Sequence, residues 1–305
     1  MNGLSRRGVA GGALALGLTA PGTGAVAADA LSAQDLNRGR VTVPVRINGQ
    51  GPFTFAIDSA ANASVIAEDL ADRLGLIRGR VVGMHTLLAR ELVGTVTAGR
   101  VRTGALDVED VTLALGSRLG LAGVDGLLGA DLLHDLRLDL RFAGLQRARL
   151  TGSRRSGGGF LDVTGQSVRL IQFGERRFGG LLALEARASG VPVVAIIDTG
   201  ALVSIANGPM ARAAGLSPIV LNDGSDKSRV QSPTGRSAPA QAMMLPRLGL
   251  GGVTVTRLPI LAGDFHTFRV WGLADRPAML LGIDVLGLFQ GVAIDLKRGE
   301  VAFEV

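Results

Sequence analysis

Asp58 ends an apolar run, Phe53-Thr54-Phe55-Ala56-Ile57, and is followed by Ser59-Ala60. The arrangement returns at Asp198, which ends Val193-Val194-Ala195-Ile196-Ile197 and is followed by Thr199-Gly200. A carboxylate at the end of a buried strand is costly unless something compensates for it. Two of them in matching frames point to one site drawn from both halves of a duplicated chain. Two carboxylates held close cannot both stay ionised, so they share a proton. Such a pair can act on one water, as base and acid together. The candidate site residues are therefore Asp58 and Asp198, with Ser59, Ala60, Thr199 and Gly200 beside them.

The elements that must position these carboxylates repeat as well. Val41 to Ile47 alternates as a strand, Asn48-Gly49-Gln50-Gly51 is a turn, and the next strand carries Asp58. In the second half, Leu182 to Ala188 is followed by Ser189-Gly190 and the strand that carries Asp198. A helix-like segment follows each triplet, Ser64 to Leu76 and Ser204 to Leu216, with Gly75 and Gly215 placed as C-terminal caps. The offset between halves is 140 at the aspartates (198 − 58) and still 140 at these glycines (215 − 75).

Each half then has a polar, glycine-containing hairpin region and a second apolar-Gly-x-Asp element. These are Leu128-Gly129-Ala130-Asp131 and Leu281-Gly282-Ile283-Asp284. Terminal strands follow at Leu136 to Leu140 and Val292 to Leu296. The offset has grown to 153 (284 − 131), so the second half carries extra residues, expected in the polar stretch Asn222 to Gly235. Asp131, Asp284, Asp139 and Asp295 read as capping or turn residues. The segment 151–159, Thr-Gly-Ser-Arg-Arg-Ser-Gly-Gly-Gly, has the composition of a solvated linker.

Composition narrows the class. With 305 residues, 47% hydrophobic and 19% charged, the chain can bury a core in one large domain or two smaller ones. Its 45 glycines favour many short strands and tight turns. There is no cysteine, which excludes disulfides, a thiol nucleophile and Cys-based metal sites. His85, His134 and His266 lack ligand spacing, so neither a metal nor a cofactor is expected. No Gly-x-Ser-x-Gly elbow stands between strand and helix, which disfavours a serine hydrolase. Met243-Met244 and the single tryptophan, Trp271, are expected in core or cleft wall.

The N-terminus has the pattern of an export signal. Arg6-Arg7 precedes an apolar or small stretch from Gly8 to Pro21, and Ala25-Val26-Ala27 is an Ala-x-Ala cleavage site. Ser5-Arg6-Arg7 also resembles the twin-arginine signal. Removal of residues 1–27 would lower the formal net charge from +6 to +4, (32 − 2) − 26. That mild excess, with 4% aromatic residues, argues for solubility and against nucleic-acid binding. The expectation is a periplasmic or secreted monomer with no membrane span after processing.

The paired Asp-Ser-Ala and Asp-Thr-Gly triplets and the paired Leu-Gly-x-Asp elements resemble the retropepsin-like aspartic peptidases in their tandem, single-chain bacterial form. The resemblance runs from about Val41 to Val305. It implies an all-β fold of two related lobes with short helices, and an active-site cleft between them. With the export pattern over 1–27 and the linker composition over 151–159, the two lobes are expected over 28–150 and 160–305. The resemblance further implies that Asp58 and Asp198 are the catalytic dyad and that Ser59 and Thr199 brace the opposite lobe. Gly83 to Gly94 and Asn222 to Gly235 would be flaps, and the substrate a peptide or protein. Ala60 departs from the pattern, since the family usually has glycine there. The alternative expectation is a peptide-binding protein of the same fold that does not hydrolyse.

Overall fold

In the computed structural model, residues 17–19, 25–27, 39–142, 147–154, 169–173, 175–177, 180–221, 227–250 and 252–304 are described. Strands dominate, with five helices of four to six residues among the described residues. The first lobe is one sheet in the order Leu106–Gly116, Val65–Ala67, Gly126–Leu128, Gln50–Ile57, Thr42–Ile47, Thr95–Thr103, Ile77–Arg78. Leu106–Gly116 also pairs with Thr95–Thr103, which closes the sheet on itself. The second lobe repeats the plan with Val253–Ala262, Ile205–Ala206, Ala278–Leu281, Val191–Ile197, Leu181–Ala188, Ser237–Leu250 and Ser217–Pro218. A third sheet joins the lobes, in the order Arg147–Gly152, Leu136–Arg141, Gly291–Asp295, Glu300–Glu304, Arg169–Phe173.

The strands that deliver the two aspartates are central and buried at their ends. Phe55, Ala56 and Ile57, and Ala195, Ile196 and Ile197, are inaccessible to solvent. Gln50–Ile57 is flanked by Thr42–Ile47 and, in parallel, by Gly126–Leu128. Val191–Ile197 is flanked in the same way by Leu181–Ala188 and Ala278–Leu281. Each fully buried aliphatic or aromatic side chain contributes roughly 1.5–3 kcal/mol. Slipping either strand by one residue would turn that set outward and carry the aspartate to the wrong face.

Two sequence expectations change. The segments from Ser64 and Ser204 do not begin as helix. Val65–Ala67 and Ile205–Ala206 are strands, and the helices are Glu68–Arg73 and Gly208–Ala213. The cause is non-local: these short strands lie parallel to Leu106–Gly116 and Val253–Ala262. Both helices do end on a left-handed glycine, Gly75 at φ +60 and Gly215 at φ +62. The residues after them, Leu76 and Leu216, donate back to the carbonyls of Ala71 and Ala211 at 3.1 and 3.0 Å.

The extra residues of the second half are split, and Asn222 to Gly235 does not hold them all. Val65 pairs with Ala114 as Ile205 pairs with Leu261, an offset of 147 (261 − 114). Seven of the thirteen residues gained between offsets 140 and 153 therefore precede Leu261, and six follow it. The later gain accompanies a helix, His266–Val270, that has no counterpart in the first lobe. Thr151 and Gly152, placed in the linker by composition, end the Arg147–Gly152 strand through pairing with Arg137 and Leu136.

The N-terminal signal pattern lies almost wholly outside the described residues. Gly17–Thr19 and Ala25–Ala27 pair with each other, and the former with Thr254–Thr256. No helix among the described residues is long and apolar enough to cross a membrane.

Candidate active site

Each aspartate leaves its strand held by the chain beneath it. Asp58 N–H donates to Leu128 C=O at 2.9 Å, and Asp198 N–H to Leu281 C=O at 3.0 Å. The carboxylates are then caught by the turns that follow. Asp58 Oδ1 accepts from the N–H groups of Ala60 and Ala61 at 3.1 and 2.9 Å. Asp198 Oδ1 accepts from Gly200 and Ala201 at 2.9 and 3.0 Å. One oxygen of each carboxyl, Oδ1, is thus fixed by two backbone N–H groups.

The lobes lock together through the middle residues of the triplets. Ser59 Oγ donates to Ile197 C=O and Thr199 Oγ1 to Ile57 C=O, both at 2.8 Å. Ser59 N–H donates to Thr199 Oγ1 and Thr199 N–H to Ser59 Oγ, both at 3.1 Å. Both residues are buried. These bonds reach the carbonyls immediately before the two aspartates, so they set one carboxyl against the other.

Beneath this layer a second pair of aspartates repeats. Ser64 donates to Asp131 through N–H at 3.0 Å and Oγ at 2.7 Å, and its Oγ accepts from Gly129 N–H at 2.9 Å. Ser204, Asp284 and Gly282 do the same at 2.8, 2.7 and 2.9 Å. Asp131 and Asp284 therefore tie the turn after each triplet to the neighbouring strand. Burial pushes Asp284 up to about 6, against the hydrogen bonds from Ser204. Asp295 is also buried; it accepts from Ser153 Oγ, Arg154 N–H and Arg298 N–H and lies in the inter-lobe sheet. Asp139 receives Arg137 at 2.7 Å in the same sheet.

Gly200 is glycine because of what it faces. A β-carbon there would lie 2.5 Å from Asp58 Oδ2 and 2.8 Å from Asp58 Oδ1. Gly200 is not in the left-handed region, so the demand is for space alone. Ala60, at the equivalent turn, is not in that region either. It lines the cleft together with Trp271 and packs against the second lobe's smaller apolar cluster. The alanine is accommodated without backbone strain.

The two carboxyls are electrostatically one unit. Burial raises Asp198, and the charge of Asp58 raises it further, to about 8, against its backbone hydrogen bonds. Burial also raises Asp58, opposed by Ala60 N–H, Arg40 and Ala61 N–H. The pair holds a proton well above the usual carboxylate range, and its titration belongs to both groups together.

A cleft of about 320 Å³ opens over the dyad, lined by Ala60, Met84, Leu87 and Trp271 among others. Its roof is the hairpin Val82–His85 and Arg90–Val93. That roof is fastened to the second lobe at two places. At its tip, Thr267 N–H donates to Leu87 C=O at 3.3 Å, and His85 Nδ1 lies 2.9 Å from His266 Nε2 with the rings stacked. Just behind the tip, Glu91 receives Thr234 Oγ1 at 2.7 Å and Ser232 Oγ at 3.4 Å. Both belong to the turn between Lys227–Gln231 and Ser237–Leu250. Residues 222–226 of the expected second flap lie outside the described residues.

Nothing in the local sequence points to the histidine pair, whose members are 181 positions apart, or to Glu91. Both His85 and Glu91 lie within Gly83 to Gly94, the first expected flap. Trp271 is in the cleft wall, and Met243 in the core. His134 is apart from the site, beside Asp135. Among the described residues no group of three or more His, Asp or Glu could hold a metal ion.

No curated protein sequence matches the chain. A crystal structure of a retropepsin-like aspartic protease from Rickettsia conorii is similar at 18% identity and a TM-score of 0.30, over 45% of this chain and 89% of that one. The family model described as aspartyl protease matches twice, over residues 43–132 and 184–285, and each match includes one aspartate of the pair. The chain belongs to the aspartyl protease family.

Proposed function

We propose that this protein is an exported aspartic endopeptidase in which Asp58 and Asp198 activate one water against a peptide bond. The observation that carries the reading is the meeting of both carboxyls on Gly200. Its N–H binds Asp198, and the space where a β-carbon would be is filled by Asp58. Burial and mutual repulsion then leave one proton on the pair.

The reaction follows from that proton count. The ionised carboxyl takes a proton from water as the water oxygen attacks the scissile carbonyl carbon. The neutral carboxyl gives its proton to the carbonyl oxygen, which forms a gem-diol. The carbon–nitrogen bond then breaks as the first carboxyl returns its proton to the nitrogen. The second recovers a proton from the diol, and the pair is restored. The logic is that of aspartic proteases generally, which the handling of two close carboxylates requires.

The roof hairpin would have to lift to admit an extended chain, and its two fastenings would close again over bound peptide. Processing after Ala27, with the mature monomer in the periplasm or outside the cell, is part of the proposal and rests on the N-terminal pattern. The test is incubation of residues 28–305 with a mixed peptide library at about pH 4–7, with products mapped by mass spectrometry. Internal cleavages blocked by pepstatin-type inhibitors support the proposal. Cleavage blocked only by chelators or serine-directed reagents, or peptide binding without any cleavage, overturns it.

A further inference from the structure

The duplication places two different residues against the two aspartates. Thr42 pairs with Ala56 and Val43 with Phe55, antiparallel. Ile57 N–H continues the ladder to Val41 C=O at 2.9 Å. Carried one step further, this register sets Arg40 opposite Asp58. In the second lobe Ala183 pairs with Ile196. Carried two steps past that last pair, the register sets Leu181, which is fully buried, opposite Asp198. Residues directly opposite in an antiparallel pair share a face, with β-carbons about 5 Å apart. One aspartate of the pair therefore has a guanidinium for its cross-strand neighbour, and the other has an isobutyl group.

Arg40 is held in place by the first lobe. Its Nη1 donates to Leu121 C=O at 3.1 Å, in the loop before Gly126–Leu128. Its Nε is buried and has no hydrogen-bond partner among the described residues. The charge is thus held at a part-buried position, where it is screened less than in bulk water. The other ionisable groups around the dyad do not supply an equivalent bias. His85 lines the cleft from the roof and is paired with His266, with Arg269 behind it on the same short helix. Asp131 and Asp284 lie below, bonded to Ser64 and Ser204.

We propose that Arg40 breaks the symmetry of the duplicated pair, holding the negative charge on Asp58 and leaving the shared proton on Asp198. Asp58 is then the group that takes the water proton, and Asp198 the group that donates to the carbonyl oxygen. Arg40 is a positioning residue, since it acts through Asp58 and touches no reacting atom. The field of Arg40 on the two carboxyls agrees in direction: it lowers Asp58 ahead of Ala61 N–H, and is the smallest influence on Asp198.

This inference rests on the dyad reading above, and its test reads the carboxyls independently of turnover. The aspartate side-chain carboxyls of the mature chain are labelled with carbon-13 and titrated by NMR, with D58N and D198N used for assignment. In the unaltered protein Asp58 should lose its proton first. Arg40→Gln keeps a donor for Leu121 C=O but removes the charge, and should raise the Asp58 midpoint by about one pH unit. Arg40→Lys should restore it. The acid limb of kcat/KM for peptide cleavage should move with the same pattern. A protein that cleaves no peptide overturns the enzymatic reading, while the titration still decides the role of Arg40. Asp198 ionising first in the unaltered protein, or an Asp58 midpoint indifferent to Arg40→Gln, overturns the inference. Asp198 ionising first would overturn the inference even if no Arg40 variant folds.

Discussion

Gly200 and Asp58 belong to different lobes, yet a β-carbon on Gly200 would lie 2.5 Å from Asp58 Oδ2. The same glycine donates its N–H to Asp198 Oδ1 at 2.9 Å. One backbone position thus meets both carboxyls, and no side chain can be added there without moving one of them. Gly200→Ala should lower kcat/KM at least about tenfold and cost roughly 1–3 kcal/mol of stability, as overpacked sites do. Ala60→Gly should change both far less, because the Ala60 methyl lines the open cleft. Parallel assays and urea unfolding of the two variants check the contrast.

Thr199 and Ser59 form a crossed set of buried bonds between the lobes. Thr199→Val keeps the shape but leaves Ile57 C=O and Ser59 N–H without their partner. The expected loss is about 1–3 kcal/mol. Ser59→Ala should cost a similar amount, and the double variant less than the sum, since the two side chains share one network. A double-mutant cycle by urea denaturation reads this coupling directly.

Stability should fall as the medium becomes less acidic. Asp198 and Asp284 bind protons more tightly in the folded chain, at about 8 and about 6, than at the ordinary 3.8. The fold has that advantage in full below about pH 4. It is lost as pH rises through about 6 for Asp284 and about 8 for Asp198. Asp198→Asn keeps an uncharged side chain that still accepts from Gly200 and Ala201. Its stability should therefore decline less than that of the unaltered protein between about pH 4.5 and 7.5, by more than roughly 1 kcal/mol. Urea unfolding at both pH values measures the difference.

The roof hairpin should respond to acid through its histidine pair. A ring nitrogen contact of 2.9 Å needs one neutral imidazole to accept from the other. Burial, then His85 and then Arg269, lowers His266, so double protonation is resisted until the medium is acidic. Below that point the rings repel and the tip should lift. Trp271 follows the His266–Val270 helix, lines the cleft and is the single tryptophan of the chain. Its emission should shift as pH falls through the histidine range. His85→Gln should remove that shift.

Much of this site was legible in the sequence because it depends on short-range order. The triplets, the capping glycines Gly75 and Gly215 and the Leu-Gly-x-Asp elements each occupy a few consecutive residues, and the constant offset joins them. What escaped depends on pairing between distant segments. Ser64 to Ala67 has residues compatible with a helix start, but the backbone is claimed by Leu106–Gly116. The His266–Val270 helix is too short to show a period. Arg40 was out of reach of counting back from the Asn48-Gly49 turn, because a register shift between Val45 and Ile47 moves its partner from Ile57 to Asp58. Glu91 and Thr234 meet only once both lobes are folded.

Asp58 and Asp198 should be equally indispensable, since each supplies one half of a single proton transfer cycle. The most direct measurement is kcat/KM for one peptide substrate with the unaltered mature protein, Asp58→Asn and Asp198→Asn, all shown to be folded by circular dichroism. Both variants should lose at least about a thousandfold, which is the scale of removing an essential acid or base. Cleavage that survives in either folded variant within about tenfold would contradict the account.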